Sequence, residues 1–557
     1  MRLALAQINT TVGDLDGNRE RILEAIGEAK GAGADLVLLP ELAVTGYPPE
    51  DLLLRPGFVR AASASLREIA AETHGIVALV GVPHLDTDLR NACAVCADGE
   101  VKAIYRKRLL PNYGVFDEDR YFTRARELVL LELGETLIGP TVCEDLWEPG
   151  PATDLALAGA QVIANISASP FHLCRDRERE EIFATRARES SCIVAFCNAV
   201  GGQDELIFDG HSLVLDEEGN VLARAPGFEE ALLVVDIEPA ETARERPAPP
   251  EATVVPIGSP REQSDRIEPV VAPELAELEQ MRVALELGLH DYVDKNGFGE
   301  IVVSISGGID SALTAALAVE ALGAERVHCV SMPSRFSSPE TQRDARLLAE
   351  SLGTDFRELP IDGVVSAAEA ALAESFAGTE AGIAEENLQA RVRGLLLMAL
   401  SNKFGWLVVA TGNKSELSVG YATLYGDLAG GFALLKDVFK TDVFRLARHL
   451  NERAGKELIP QTIIDRAPSA ELRENQLDED SLPPYSALDR VLEAYVEQDR
   501  TAEELSSDGF DPAVVERAVA LIDRAEYKRR QAPPGVRLTP KAFGRDRRTP
   551  ITNRWRG

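Results

Sequence analysis

The sequence predicts an α/β protein built from two domains in tandem, and three observations carry that prediction. Short apolar, β-branched runs alternate with amphipathic helical stretches over residues 1–240, as in Leu36-Val-Leu-Leu-Pro40, Ile76-Val-Ala-Leu-Val80 and Val162-Ile-Ala-Asn165. A proline-rich segment without periodicity, residues 241–273, interrupts the pattern at Pro247, Pro249, Pro250, Pro256, Pro260, Pro269 and Pro273, and reads as an extended linker. A second strand–helix alternation then runs over residues 274–557, with strands at Ile301–Ile305, Val327–Met332 and Leu407–Thr411.

At 557 residues and 45% hydrophobic content, the chain has material for about two to four packed domains. No apolar run is long enough for a membrane span, and Met1-Arg-Leu-Ala-Leu-Ala-Gln-Ile-Asn reads as a first strand rather than a signal peptide; both point to a cytoplasmic protein. The net charge of −33 argues against nucleic acid as a partner, because phosphate neutralisation needs basic surface. Only 11 of the 58 basic residues are lysine, so lysines inside motifs (Lys107, Lys414, Lys436, Lys528) stand out as functional candidates. Seven cysteines form no disulfide framework. Cys93-Ala-Val-Cys96 has metal-site spacing but lies in an alternating run with no second pair nearby, so both are expected as buried strand residues.

The most informative stretch is Ile301-Val-Val-Ser-Ile-Ser-Gly-Gly-Ile-Asp-Ser311, a strand, a glycine turn and the start of an alanine- and leucine-rich helix. Such a corner presents free backbone N–H groups and the positive end of a helix dipole, which suits a phosphate. The lysine and spacing of a Walker loop are absent. Asp310 stands beside the expected anion, an unfavourable place for a carboxylate unless Mg²⁺ lies between them. A second strand ends in Thr411-Gly-Asn-Lys-Ser-Glu416, and Glu416 makes a second candidate ligand for that ion.

In the first domain, Glu41 follows a buried strand in Leu39-Pro-Glu-Leu42, Lys107 precedes a proline-marked turn, and Cys143 ends a strand in Thr141-Val-Cys-Glu-Asp-Leu-Trp147. The three make a base, cation and nucleophile set. Glu144 and Asp145 oppose ionisation of the thiol, so a nearby base or cation is required.

This trio resembles the Glu–Lys–Cys triad of the nitrilase (carbon–nitrogen hydrolase) superfamily. Leu110-Pro-Asn-Tyr-Gly-Val-Phe-Asp-Glu118 and Asn165-Ile-Ser-Ala-Ser-Pro170 further resemble the glutaminase domain of the glutamine-dependent NAD⁺ synthetase family. Ser306-Gly-Gly-Ile-Asp-Ser311 resembles the pyrophosphate loop of N-type ATP pyrophosphatases. Seven more segments follow the synthetase pattern in order: Glu386 to Arg391, Thr411 to Glu416, Gly426 to Phe432, Lys436 to Lys440, Pro468 to Arg473, Asp480 to Tyr485 and Lys528 to Pro534.

The resemblance implies a nitrilase-like α-β-β-α sandwich followed by a Rossmann-like parallel-sheet domain of the adenine nucleotide alpha hydrolase type. It implies Glu41 as general base, Lys107 at the oxyanion and Cys143 as nucleophile, with Tyr113, Ser169 and Arg175 at glutamine. A lysine is common in the family where Arg175 stands, and a glycine where Cys174 stands. For the second domain it implies ATP at Ser304, Ile305, Ser306, Gly307, Gly308, Ile309, Asp310, Ser311 and Thr411. Deamido-NAD⁺ is then expected near Asn387, Glu416, Lys436 and Lys528, and Mg²⁺ at Asp310 and Glu416. The implied partners are small molecules (glutamine or ammonia, ATP and deamido-NAD⁺), the implied assembly a homo-oligomer. Two rivals are an amidotransferase acting on another carboxylate and a nitrilase-like amidase regulated by nucleotide.

Overall fold

The computed structural model describes residues 1–239, 251–261 and 265–555, so Pro247, Pro249 and Pro250 lie outside the described residues. The chain separates into two compact units, Met1–Ala276 and Glu277–Gly557.

The first unit is a four-layer sandwich. One sheet has six strands, in the order Ala231–Asp236, Arg2–Gln7, Leu36–Leu38, Val77–Leu85, Leu89–Ala97 and Glu100–Arg106. The other has seven, in the order Val221–Arg224, Leu213–Leu215, Ile193–Asn198, Val162–Ser167, Thr136–Val142, Leu128–Leu133 and Ala252–Gly258. Inward-facing residues of both sheets, among them Leu3, Leu36, Val77, Ile138, Val162 and Ile193, form one fully buried layer. Helices Leu15–Gly31 and Pro56–Ala71 cover the outside of the first sheet through Ile22, Ile26, Leu66 and Ile69. Helices Pro149–Leu157 and Arg175–Ser190 cover the second through Leu155 and Phe183. Alternate residues of a strand face opposite sides, so each strand feeds the central layer and an outer one at once.

The same alternation separates the two cysteines of the C-x-x-C run. Cys93 faces the layer between the sheets and Cys96 the outer helical layer. Two thiols on opposite faces of one strand cannot share a metal ion.

The segment read as a linker is not wholly one: Ala252–Gly258 pairs in parallel with Leu128–Leu133 at the edge of the seven-stranded sheet. Pro256 is tolerated there because an edge strand has one side without ladder partners. Pro140 sits within Thr136–Val142 for a related reason. It pairs with Ala164 on one side, while the antiparallel pairing on its other side stops at Ile138.

The second unit is built on a fully parallel five-stranded sheet in the order Asp355–Glu358, Val327–Ser331, Ile301–Ser304, Leu407–Ala410 and Phe432–Ala433. The order reverses next to Ile301–Ser304: the chain builds outward in one direction, then returns to add Leu407–Ala410 on the other side. Open parallel sheets form their crevice at such a switch point, beyond the carboxyl ends of the strands. A C-terminal layer of helices, including Tyr485–Leu492 and Pro512–Arg524, packs its own core around Leu488, Val515 and Ile522.

Replacing Cys93 with serine buries a hydroxyl between the sheets and should cost about 1–3 kcal/mol of stability in chemical denaturation. The unaltered protein should carry no more bound zinc than Cys93→Ser by metal analysis; zinc lost with that substitution would mean that these thiols do hold metal.

Candidate functional site

Glu41, Lys107 and Cys143 converge although they come from three separate strand ends. Glu41 follows Leu36–Leu38, Lys107 follows Glu100–Arg106, and Cys143 follows Thr136–Val142. All three are buried, at 1%, 1% and 2% exposure. The Lys107 ammonium donates to Glu41 Oε1 at 2.6 Å and to Glu118 Oε1 at 2.9 Å. Asn91 Nδ2 donates to the same Glu41 oxygen at 2.7 Å, and the Ala168 N–H donates to Glu41 Oε2 at 3.1 Å. Tyr47 donates its hydroxyl to Glu118 at 3.0 Å.

Cys143 takes φ +44° between the strand and the short helix Glu144–Trp147. For a residue with a Cβ this is a strained backbone of the kind found where a side chain must be presented at a turn. Its thiol is held well above the ordinary value, first by burial and then by Glu41, against the pull of Lys107. Glu144 adds to the upward push, as the sequence predicts. Asp145 is different: its carboxyl accepts four hydrogen bonds, from Arg108 N, Leu109 N, Val142 N and the Tyr105 hydroxyl. Burial pushes that carboxyl up to about 6, with Lys107 drawing it back.

Of the three residues expected at glutamine, Tyr113 donates its hydroxyl to Glu144 at 3.0 Å and is 54% exposed, so it stands at the mouth of the site. Ser169 is buried just past Val162–Ser167, its N–H bonded to Asn198 Oδ1 at 2.8 Å. Arg175 lies over the Trp147 ring at 3.9 Å and pairs with Glu178 at 2.5 Å. The neighbouring Cys174 takes φ +65°, which is why a glycine suits that position.

In the second unit, the carboxyl ends of the two strands beside the switch point open into one cleft. It is lined by Ser304 to Ser311, by Thr411 and Glu416, and by Lys440, Arg466 and Asp478. Gly307 has φ +82°, and a Cβ there would lie 2.3 Å from the Thr341 carbonyl oxygen, so the turn requires glycine. Helix Ile309–Leu322 begins at this turn with Asp310 in its first turn. Asp310 accepts from Asn413 Nδ2 at 2.8 Å and is ion-paired with Lys440, which also reaches Glu416 Oε1 at 3.0 Å. Glu416 is pushed up to about 7, first by burial; Lys440 opposes the shift and Asp310 adds to it.

Asn387, Lys436 and Lys528 are not among the residues lining this cleft. Asn387 Oδ1 accepts from Thr423, which does line it, at 2.8 Å. Lys528 donates to the carbonyls of Gly420 and Ala422, both at 2.7 Å, on the same segment. Lys436 is buried at 7% exposure.

Sequence reasoning missed Glu118, Asn91 and Asp145 in one site and gave Lys440 no role in the other. Glu118 has a faint signal, an acid inside a motif already singled out. The other three become visible only when the strands are assembled.

Residues 2–246 match the carbon–nitrogen hydrolase family and residues 281–532 the NAD synthase family. A glutamine-dependent NAD(+) synthetase from Thermotoga maritima is 47% identical over 100% of this chain and 99% of its own length. One from Aquifex aeolicus is 43% identical, with both chains covered in full. The chain belongs to the glutamine-dependent NAD⁺ synthetase family. Among solved structures, the family member from Acinetobacter baumannii, determined in complex with ADP, is 38% identical with a TM-score of 0.76, covering 99% of this chain and 98% of that one. The Cytophaga hutchinsonii member, at 24% identity and a TM-score of 0.83, has the same fold.

Because the resting thiol is held protonated, iodoacetamide should modify Cys143 slowly at neutral pH, with a rate still rising at pH 9.0, the thiol's ordinary value. Peptide mapping of the alkylated residue across pH checks this. A plateau reached below neutrality would show that the site stores a thiolate instead.

Proposed function

We propose that this chain converts deamido-NAD⁺ to NAD⁺, using ATP and ammonia released from glutamine, and yields glutamate, AMP and pyrophosphate. The observation that carries the reading is the pairing, on one chain, of a buried Glu–Lys–Cys cluster with a glycine-turn cleft bearing two carboxylates. Full-length relatives bearing that activity's name support it.

In the first half-reaction, Glu41 takes the Cys143 proton as sulfur attacks the side-chain amide carbon of glutamine. Lys107 stabilises the oxyanion of the tetrahedral intermediate. The proton passes to the leaving nitrogen, ammonia departs, and water cleaves the thioester to glutamate. Tyr113, Ser169 and Arg175 surround the substrate, with Arg175 the base that meets its charged end.

In the second, the nicotinate carboxylate of deamido-NAD⁺ attacks the α-phosphate of ATP. Pyrophosphate leaves toward the loop Ser304 to Ser311, whose glycine turn and helix start favour an anion. Ammonia then attacks the acyl adenylate and AMP departs. Lys440 neutralises charge near Asp310 and Glu416. Thr411 belongs to the ATP side, while Asn387, Glu416, Lys436 and Lys528 belong to the deamido-NAD⁺ side.

Among the described residues no cluster of three or more His, Cys, Asp or Glu forms a metal cage. Asp310 and Glu416 nevertheless fit Mg²⁺, which binds through one or two carboxylates plus substrate phosphates. Burial raises Glu416 first and repulsion from Asp310 adds to it, and a bound cation would relieve that repulsion. Bound there, Mg²⁺ would neutralise developing phosphate charge.

A cytoplasmic homo-oligomer acting on small molecules completes the proposal. Among the described residues no helix is long and apolar enough to cross a membrane. Helix Ile383–Phe404 exposes Leu395 and Met398, an apolar face of the kind subunits cover.

Cys143→Ala should abolish glutamine-driven NAD⁺ formation and leave ammonia-driven formation intact; parallel loss of both would overturn the two-site reading. Gly307→Ala should weaken ATP use by about tenfold, given about 1–3 kcal/mol of strain at a positive φ, while glutamine hydrolysis persists. Asp310→Ala should stop AMP formation; retained synthesis would remove Asp310 from the reaction.

A further inference from the structure

Cys143 and Lys107 belong to different sheets of the sandwich. Cys143 follows Thr136–Val142 of the seven-stranded sheet, and Lys107 follows Glu100–Arg106 of the six-stranded one. Apolar contacts between packed sheets have no direction of their own and do not by themselves set sub-ångström geometry between two strand ends. A reaction needing sulfur and ammonium in fixed relation requires something directional between the two strand ends. Misplacement by about 1 Å can cost about 100-fold in rate.

One buried carboxylate meets that requirement. Asp145 Oδ2 accepts from the Tyr105 hydroxyl at 2.8 Å, two residues before Lys107, and from Val142 N at 3.2 Å, the residue before Cys143. Asp145 Oδ1 accepts from Arg108 N at 3.1 Å and Leu109 N at 2.8 Å, the two residues after Lys107. The carboxylate therefore brackets Lys107 on both sides and touches the strand end that presents Cys143. Asp145 is fully buried. With four donors on two oxygens, it is occupied as an acceptor rather than offered to a substrate.

We propose that Asp145 is a positioning residue for glutamine hydrolysis, a clamp that fixes the lysine-bearing strand end to the cysteine-bearing one. The proposal rests on the glutaminase reading of Cys143. Asp145 exchanges no proton with substrate; it acts by holding the oxyanion-side ammonium in register with sulfur. The adjacent Glu144, which bonds the half-exposed Tyr113, faces the site mouth and has no part in the clamp.

Asp145→Asn is the direct test. The amide keeps one acceptor oxygen for the backbone donors of Arg108 and Leu109, but its nitrogen cannot accept from Val142 N. Glutamine-dependent kcat should fall about 100-fold, with KM for glutamine changed less than about threefold and ammonia-driven NAD⁺ synthesis in the same preparation unchanged. Tyr105→Phe, which deletes one donor hydroxyl, should lower the same kcat by about three- to tenfold, again without moving KM. Unchanged kcat in Asp145→Asn would overturn the clamp, as would a parallel fall in ammonia-driven synthesis, which would mark general damage. If Asp145→Asn fails to fold, Tyr105→Phe decides alone: unchanged kcat overturns the proposal. Glutamine hydrolysis by the unaltered protein, lost in Cys143→Ala, tests the underlying glutaminase reading separately.

Discussion

The Lys107 ammonium, held between Glu41 and Glu118 with all three side chains out of solvent, is the interaction on which the first site depends. A lone buried charge is prohibitive, and removing one partner of a buried pair costs about 3–5 kcal/mol. One ammonium with two carboxylates still leaves an excess negative charge in a dry place. The protein meets this with hydrogen bonds from Asn91, Ala168 N and Tyr47, and by raising the proton affinity of one acid. Glu118 is pushed up to about 7, chiefly by burial, with Lys107 opposing. For Lys107 burial acts downward, but Glu118 and Glu41 outweigh it and hold the ammonium well above its ordinary range. A lysine so placed is held toward its charged form, as the proposed oxyanion role demands.

The same arrangement recurs in the second unit. Lys440 stands between Asp310 and Glu416, and Lys414 between Asp437 and Glu497 at 2.7 Å each. Again one acid of each trio is raised, first by burial: Glu416 to about 7, and Glu497 upward. The two lysines differ in surroundings. Lys414 also donates to Thr539 Oγ1, and Asp437 accepts from Leu538 N and Thr539 N, so this trio ties the motif after Leu407–Ala410 to the C-terminal segment. Lys440 and its acids line the cleft instead. In a chain with so few lysines, three of them are committed to holding pairs of carboxylates together.

Much of this was legible in the sequence, and the limits have physical causes. Strand periodicity located the central strands, and the glycine turn after Ile301–Ser304 marked a phosphate corner; the structure adds that only glycine fits there against Thr341. Glu41 and Cys143 were each found at a strand end, and Lys107 before a proline-marked turn. What the sequence hid was pairing across sheets. Asp145 stands two residues from Cys143 and reads as a charge opposing the thiol until Tyr105, Arg108 and Leu109 arrive from the other sheet. Glu118 is 11 residues from Lys107, in a loop whose return path no periodicity encodes. The strand Ala252–Gly258 hid inside a proline-rich stretch because edge strands tolerate the residue that normally signals their absence.

The two sites impose opposite demands on water, and the fold meets each by where it puts the reacting groups. Burial, then Glu41, pushes the Cys143 thiol well above its ordinary value and so favours the less reactive thiol form over the thiolate. In the proposed glutaminase reaction, glutamine supplies the missing favourable term on arrival, when its carbonyl carbon accepts the sulfur electron pair and Lys107 meets the resulting oxyanion. Reactivity is thereby made conditional on substrate. The proposed triphosphate chemistry needs a more open cleft that admits a large polyanion, and the crevice at the switch point of the parallel sheet provides one. Glu416 and Asp310 reach that cleft at 18% and 17% side-chain exposure, against 0% for Glu41 and Lys107. Lys440, bound to both, is what lets the two carboxylates stand together there.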